Sequence, residues 1–425
     1  MRKATVVGLG VAAVCALLGL LVWLLGVRDD VDVSASRGLD TPSARMVERG
    51  AYLARAGNCM LCHTRRGGDA YAGGRAMDTP FGTVFSSNLT PDMAHGVGGW
   101  TAAHFWRALH HGRSRDGRLL VPAFPYTSYT QVTREDSDAL FAFLQSLPAV
   151  AQADMPQQLR WPYNTQIALA VWRALYFRPE VFRPDPGHDA AWNRGAYLVR
   201  GLGHCDACHT RRNLLGAEDN QLELVGGPIP MQNWYAPSLL RSGEAGVAEW
   251  DTQMVVRLLQ SGVSPRGSVT GPMAEVVQHS TQFLSPPDLA AMAVYLKALP
   301  SAVAGSGGPG PQGTNPGSAA GAKLYGKSCA QCHGDNGEGV AGAYPALDGN
   351  RAVLMPVVSN LVQMVLRGGF PPATQGNPRP FGMPPYQMVL SDGEIAAVLT
   401  HIRGAWGNRA AAVSELDVAR YRGAK

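Results

Sequence analysis

Cysteine is scarce in this chain of 425 residues, which carries seven. One of them, Cys15, lies in an N-terminal apolar run, and the other six form three closely spaced pairs. No cysteine is left over for a disulfide, so a disulfide-stapled scaffold is excluded. A Gly-x-Gly-x-x-Gly run opening a βαβ unit and a Walker motif are both missing, and with them any independent nucleotide-using machinery. Charge is sparse as well, at 16% of residues with a formal net charge of +5, and nothing in that balance suggests nucleic acid as a partner. Glycine and proline are plentiful instead, at 50 and 30 residues, which suggests short helices joined by long loops.

The six paired cysteines each belong to the spelling Cys-x-x-Cys-His. The three copies are Cys59, Cys62 and His63; Cys205, Cys208 and His209; and Cys329, Cys332 and His333. This is the attachment signature of a c-type haem: two cysteines add to the haem vinyl groups, and the adjacent histidine is held beneath the porphyrin as a ligand to iron. A zinc ribbon brings two Cys-x-x-Cys pairs within roughly 15–20 residues of each other, whereas these lie well over a hundred apart. A thioredoxin-like redox pair gives no reason for a histidine directly after all three copies. Three covalently bound haem c groups are therefore expected, and their propionates would bring the positive chain close to neutrality.

Ala4 to Val27 contains no charged residue, follows Met1-Arg2-Lys3 and precedes Arg28-Asp29-Asp30. At about 20 residues per crossing it is long enough to span a bilayer. It offers no clean small-residue cleavage site, and Val14 stands where a lipoprotein reading of Cys15 needs a small residue. Residues 1–30 are read as an uncleaved signal anchor. The basic residues before the span put the remainder on the periplasmic side of the inner membrane, where haem attachment takes place.

Behind the anchor the text repeats. Arg49-Gly50-Ala51-Tyr52-Leu53 and Arg194-Gly195-Ala196-Tyr197-Leu198 stand upstream of the first two motifs, and Gly321-Ala322-Lys323-Leu324-Tyr325 echoes them before the third. Each reads as an amphipathic helix leading into a haem loop. Each copy closes with a second helical pattern, at Asp136 to Leu147, Pro287 to Leu299 and Asp392 to Trp406. The expected fold is mainly α, with three tandem class I cytochrome c-like domains behind one transmembrane helix. The domains are placed at 40–150, 191–300 and 319–410, with a flexible Gly/Ser/Pro linker at 301–318 and a C-terminal tail at 411–425. Between the first two, 151–190 forms an aromatic-rich connector, read either as a packed brace or as a docking surface for a partner subunit, quinone or the membrane interface.

What faces the iron opposite each histidine decides the chemistry. Met383, in the proline-braced run Phe381-Gly382-Met383-Pro384-Pro385, is assigned to the third haem. Met273, in Gly271-Pro272-Met273-Ala274-Glu275, is assigned to the second, with Met231 and Met254 as rivals. In the first domain, aligning Trp100 with Trp250 carries Met273 back onto Val121 to Tyr126, where Phe124 stands. Phenylalanine cannot coordinate iron. Met77, Met93, His95, His104, His110, His111, water or an empty position remain as alternatives.

The chain resembles the three-haem cytochrome c subunit of bacterial membrane-bound dehydrogenases that oxidise alcohols, aldehydes, sugars or sugar acids. The resemblance rests on Thr79-Pro80-Phe81-Gly82, Ser87-Asn88-Leu89-Thr90-Pro91-Asp92, Pro122-Ala123-Phe124-Pro125-Tyr126, Gly271-Pro272-Met273-Ala274-Glu275-Val276-Val277 and Gly382-Met383-Pro384-Pro385. It covers nearly all of the chain after the anchor. It implies a catalytic partner subunit carrying pyrroloquinoline quinone, flavin or molybdenum, with ubiquinone or an oxidase as acceptor, and it implies a methionine where Phe124 stands. Two other readings stay open: a haem enzyme or ligand sensor with an open first haem, and an electron donor to a terminal oxidase without a dedicated dehydrogenase.

Overall fold

The computed structural model describes residues 2–27, 33, 42–301 and 319–423. All but the first residue of the linker expected at 301–318, and the last residues of the anchor region, therefore lie outside the described residues. The chain is mostly helical and divides into two compact units, one built mainly from residues before 184 and the other from 184 onward. Two short pieces are exchanged: Arg55–Asn58 goes with the second unit and Leu214–Ala217 with the first.

In the first unit, α1 (Arg2–Val27) is the apolar N-terminal helix, and within it Val7–Leu24 has the length and composition to cross a membrane. Then follow α2 (Ala44–Ala56), α3 (Cys59–Cys62), α4 (Ala102–His111), α5 (Tyr126–Tyr129), α6 (Arg134–Gln145) and α7 (Gln166–Tyr176). A small antiparallel sheet of β1 (Ala76–Thr79), β2 (Gly82–Phe85) and β3 (Gln158–Leu159) ties the connector back onto the loop after the first motif.

The second unit holds two further rounds of the same plan. The first round has α8 (Ala190–Ala196), continued as a π-helical turn over Tyr197–Leu202, then α9 (Asp206–His209), α10 (Thr252–Ser261), α11 (Pro272–His279) and α12 (Pro286–Ala298). The second has α13 (Ala319–Ser328), α14 (Ala330–His333), α15 (Arg351–Leu354), α16 (Ser359–Arg367), α17 (Asp392–Gly404) and α18 (Glu415–Arg422). The segment read as a tail is thus partly helix, and Val418 of α18 is fully buried in the core formed around Leu366, Ile395 and Leu399.

One contact recurs in all three rounds and explains the glycine of each upstream repeat. A side chain on Gly50 would meet the carbonyl oxygen of Ala139 at 1.9 Å, one on Gly195 that of Ala291 at 2.1 Å, and one on Gly321 that of Ala397 at 2.3 Å. The opening helix therefore crosses the closing helix at backbone contact, which only glycine permits. The closing helices are started alike: Thr133, Ser285 and Ser391 cap α6, α12 and α17 by accepting from the backbone N–H three residues on. The residues at that third position are Asp136, Asp288 and Glu394. In the first two rounds the acid also receives the arginine beside the crossing glycine, with Arg49 Nε 2.8 Å from Asp136 and Arg194 Nε 2.8 Å from Asp288. Asp136 and Asp288 are buried, so these pairs hold the crossing and also neutralise an acid that water does not reach.

Within the second unit, hydrogen bonds and a cation–π contact join the two rounds. Asn360 of α16 reads the backbone of Tyr235 like a neighbouring strand: its Oδ1 accepts from the Tyr235 N–H at 2.8 Å and its Nδ2 donates to the Tyr235 carbonyl at 2.7 Å. The Arg351 guanidinium lies 5.0 Å from the Trp250 ring centre, and Gln282 donates to the Ala373 carbonyl at 3.0 Å.

Candidate haem sites

Each Cys-x-x-Cys-His sits on a single short turn of helix, after the crossing helix and before a loop that curls back over the histidine. That loop supplies a main-chain carbonyl to the imidazole. The Nδ1 of His63 lies 2.7 Å from the Ser87 carbonyl, that of His209 2.7 Å from the Pro237 carbonyl and that of His333 3.0 Å from the Pro345 carbonyl. A carbonyl only accepts, so Nδ1 carries the proton in each case and Nε2 is left bare with its lone pair free. Burial holds all three histidines below their ordinary pKa, which keeps that neutral form. A neutral imidazole with an anchored Nδ1–H and a free Nε2 is a metal ligand's resting state.

Burial, reinforced by neighbouring ionisable groups that include the paired thiol, pushes Cys59 and Cys205 up to about 12 and Cys329 up to about 11. The surroundings thus favour the neutral thiol over the thiolate that disulfide exchange needs. Among the described residues no cluster of three or more His, Cys, Asp or Glu is arranged to hold a metal ion.

The third site contains a cavity that tests the fit of a haem. Cys329, His333 and Met383 line one cavity of about 110 Å³ that opens to solvent, with Leu347, Val365, Leu399 and Ile402 among its apolar walls. The lining rather than the volume suits a haem: the walls are mostly apolar, and Cys329 and His333 stand at the edge where a covalently held flat apolar cofactor would be attached. Met383 is fixed by a two-way bridge, donating to the Gly369 carbonyl at 2.8 Å and accepting from the Gly369 N–H at 3.0 Å. Gly368 is required there, because a side chain on it would reach the Met383 carbonyl at 2.2 Å. Ser268 and Thr270, from the preceding round, close part of the same cavity.

Met273 occupies the second position of α11, half-buried, following Gly271, whose positive φ of 53° and approach to the Trp234 ring exclude a larger residue. Its rivals fare differently: Met231 is 58% exposed on a surface turn, and Met254 is half-buried on α10. In the first round, Phe124 is half-buried with its ring 5.4 Å from that of Tyr129. Burial, with the Cys59 and Cys62 thiols as lesser causes, holds the Tyr129 hydroxyl well above its ordinary pKa. Of the alternative ligands, Met93 and His95 are exposed, and Met77 lies in β1. His104 closes the cap of α4 with Thr101, and His110 donates to the Thr130 carbonyl at 2.7 Å while stacking on Trp106. His111 is buried beside His110, Arg173, Arg113 and Arg107, and burial together with those groups pushes it down to about 3.

Several contributors escaped the sequence reading. The Ser87, Pro237 and Pro345 carbonyls are main-chain groups on three unlike residues, so no residue pattern marks them. Tyr386, which donates to the Ser328 carbonyl at 2.6 Å beside the third cysteine pair, carried a signal in its position just after Met383-Pro384-Pro385.

Comparison with known proteins agrees with this geometry. Residues 318–406 match the family model of cytochrome c. The chain is 39% identical over 401 residues to the cytochrome c subunit of the quinone alcohol dehydrogenase of Gluconacetobacter polyoxogenes, covering 90% of this chain and 86% of that one. It is 38% identical to the gluconate 2-dehydrogenase cytochrome c subunit of Pantoea cypripedii, covering 90% and 91%. It is also 33% identical to the fructose dehydrogenase cytochrome subunit of Gluconobacter japonicus, covering 88% and 82%. A cytochrome c domain implies covalently bound haem c, and over nearly its whole length this chain belongs to the family of cytochrome c subunits of membrane-bound dehydrogenases.

Proposed function

We propose that the chain carries three covalent haem c groups in three tandem class I cytochrome c-like domains. In this reading it passes electrons from a catalytic dehydrogenase subunit towards ubiquinone or an oxidase. Cys59 and Cys62, Cys205 and Cys208, and Cys329 and Cys332 hold the haems; His63, His209 and His333 ligate the irons, with Met273 and Met383 opposite in the second and third domains. The observation that carries this reading is the threefold recurrence of an imidazole whose Nδ1–H is given to a main-chain carbonyl, leaving Nε2 for iron. Bound haem supplies reversible one-electron exchange, and the protein sets its potential and its partners. The apolar residues around the third cavity would keep the cofactor's face away from water, and Met383 in its lining would be the residue available to fill the iron's remaining position. In this reading α1 remains as an anchor in the inner membrane with the haem domains on the periplasmic side; the alcohol, gluconate and fructose dehydrogenase relatives support a catalytic dehydrogenase partner, which this reading takes to carry pyrroloquinoline quinone, flavin or molybdenum.

Purification from membranes with whatever accompanies the chain, mass analysis of each subunit and a reduced-minus-oxidised spectrum under candidate substrates test this directly. Three covalent haems, a large companion subunit and reduction by an alcohol, aldehyde, sugar or sugar acid are expected. A solitary chain that none of these reduces in its membrane would overturn it.

Phe124 favours a second reading for the first domain alone, in which its iron lacks a protein ligand on that side and accepts a small exogenous one. Carbon monoxide shifting about one third of the reduced spectrum would support it, and no shift would remove it.

A further inference from the structure

Helix α7 has two unlike faces, and only one is used by the fold. Its inner residues Leu169, Arg173 and Phe177 are buried. Arg173 donates to the His111 carbonyl, its guanidinium 4.6 Å from the Phe177 ring centre, and Trp172 Nε1 donates to the Leu215 carbonyl at 2.9 Å. The outer face carries Ile167, Val171 and Leu175, four residues apart and therefore stacked in one stripe. They are 78%, 40% and 63% exposed, and Trp161, in the turn leading into α7, is 80% exposed. Large apolar side chains stand singly on any surface, whereas a stripe of this kind marks a surface that something covers.

The same unit indicates what covers it. Helix α1 lies against α7, yet it leaves this stripe open, and its own span Val7–Leu24 is uncovered by protein. The stripe is thus continuous with a surface whose composition suits lipid. Trp161 and Tyr163 are the residue types that settle where acyl chains meet headgroups, and exposed Arg160 and Arg178 bracket the stripe with the charge that anionic headgroups attract.

We propose that the outer stripe of α7, with Trp161 and Tyr163, is a membrane-docking surface that lies in the headgroup layer of the bilayer crossed by α1. It rests on reading α1 as an uncleaved anchor. Docking then fixes the first unit on the bilayer through α7, whose inner face packs on Tyr126: the Tyr126 ring centre is 6.3 Å from that of Trp172 and 4.8 Å from that of Phe177.

The test uses the full-length haem-loaded protein in vesicles of phosphatidylethanolamine and phosphatidylglycerol. In a Cys15→Ala background, nitroxide labels are placed at Ile167→Cys and Leu175→Cys separately, with Leu416→Cys, 64% exposed on α18, as the reference. Collision with dissolved oxygen should exceed collision with a water-soluble nickel chelate severalfold at 167 and 175, with the opposite order at 416. Equal access of the chelate to all three positions would overturn the proposal. So would shielding of 167 and 175 from both reagents that appears only when a companion subunit is bound, since protein would then be the occupant. Intact mass and retention in alkali-washed membranes report on α1 separately. A full-length, retained chain with water-exposed labels would sink the α7 surface alone, whereas a cleaved, released chain would sink the anchor reading.

Discussion

Helix α13 offers one substitution with two opposite expected outcomes. Gly321 and Gly326 lie on the same helix, five residues apart. A side chain at Gly321 would meet the Ala397 carbonyl oxygen at 2.3 Å and its carbon at 2.9 Å, whereas one at Gly326 would meet nothing within 4 Å. Replacing either glycine by alanine recovers about 0.8–1 kcal/mol of helix propensity. At Gly321, α13 and α17 must also move apart by roughly 1 Å to reach an ordinary contact, and overpacking of this kind costs about 1–3 kcal/mol. Because the propensity gain is common to both, the difference between the two variants isolates the crossing contact at about 1–3 kcal/mol. Hydrogen exchange followed by mass spectrometry on peptides covering 319–328 and 392–404 reads it locally, without requiring the whole chain to unfold in one step. Gly326→Ala should slow exchange, and Gly321→Ala should exchange on the order of 5- to 150-fold faster than Gly326→Ala. If both variants move together by the same amount, the close crossing does not constrain the fold and the explanation of the repeated glycine is wrong.

Three further outcomes follow from the same structure. Asn360→Ala removes both hydrogen bonds to the Tyr235 backbone, and should cost about 1–3 kcal/mol, seen as faster exchange in 233–236 and 359–367; unchanged exchange there would show that the contact is incidental. The Glu394 carboxylate accepts from the Ser391 N–H at 2.8 Å and hydroxyl at 2.9 Å, which hold its pKa below the ordinary value. Its contribution to α17 is therefore present above the carboxylate range and lost as pH falls through it, so Glu394→Gln should flatten the pH dependence of exchange at 392–396, and an undiminished dependence would refute the link. Met383→Ala and Met273→Ala should each keep three covalent haems by mass while one low-spin iron becomes high-spin with a lowered potential; an unaltered electron paramagnetic resonance spectrum in either would remove that ligand assignment.

Much of this fold was open to reading because its strongest signals are local. The closing helices expected from Asp136, Pro287 and Asp392 begin at Arg134, Pro286 and Asp392, since a cap followed by an acid three residues on is written within four residues. The repeat of Arg-Gly-Ala-Tyr-Leu was visible, but not why it holds a glycine, because the carbonyl it touches is some ninety residues away in sequence. The connector was legible as aromatic and apolar, but not which of its side chains pack: Trp172 and Phe177 brace the first unit, while Ile167 and Leu175 are exposed. The short sheet β1–β3 and the Asn360 contact left no pattern, as both join distant backbone groups.

The three imidazole anchors have a consequence for how such a chain can change over time. Ser87, Pro237 and Pro345 share nothing but a peptide oxygen, and every amino acid supplies one. Substitution at any of these positions leaves the acceptor in place so long as the loop keeps its path. The protonation state of each of these histidines is thus inherited from the shape of the backbone and is indifferent to spelling, leaving the surrounding loops free to drift in sequence.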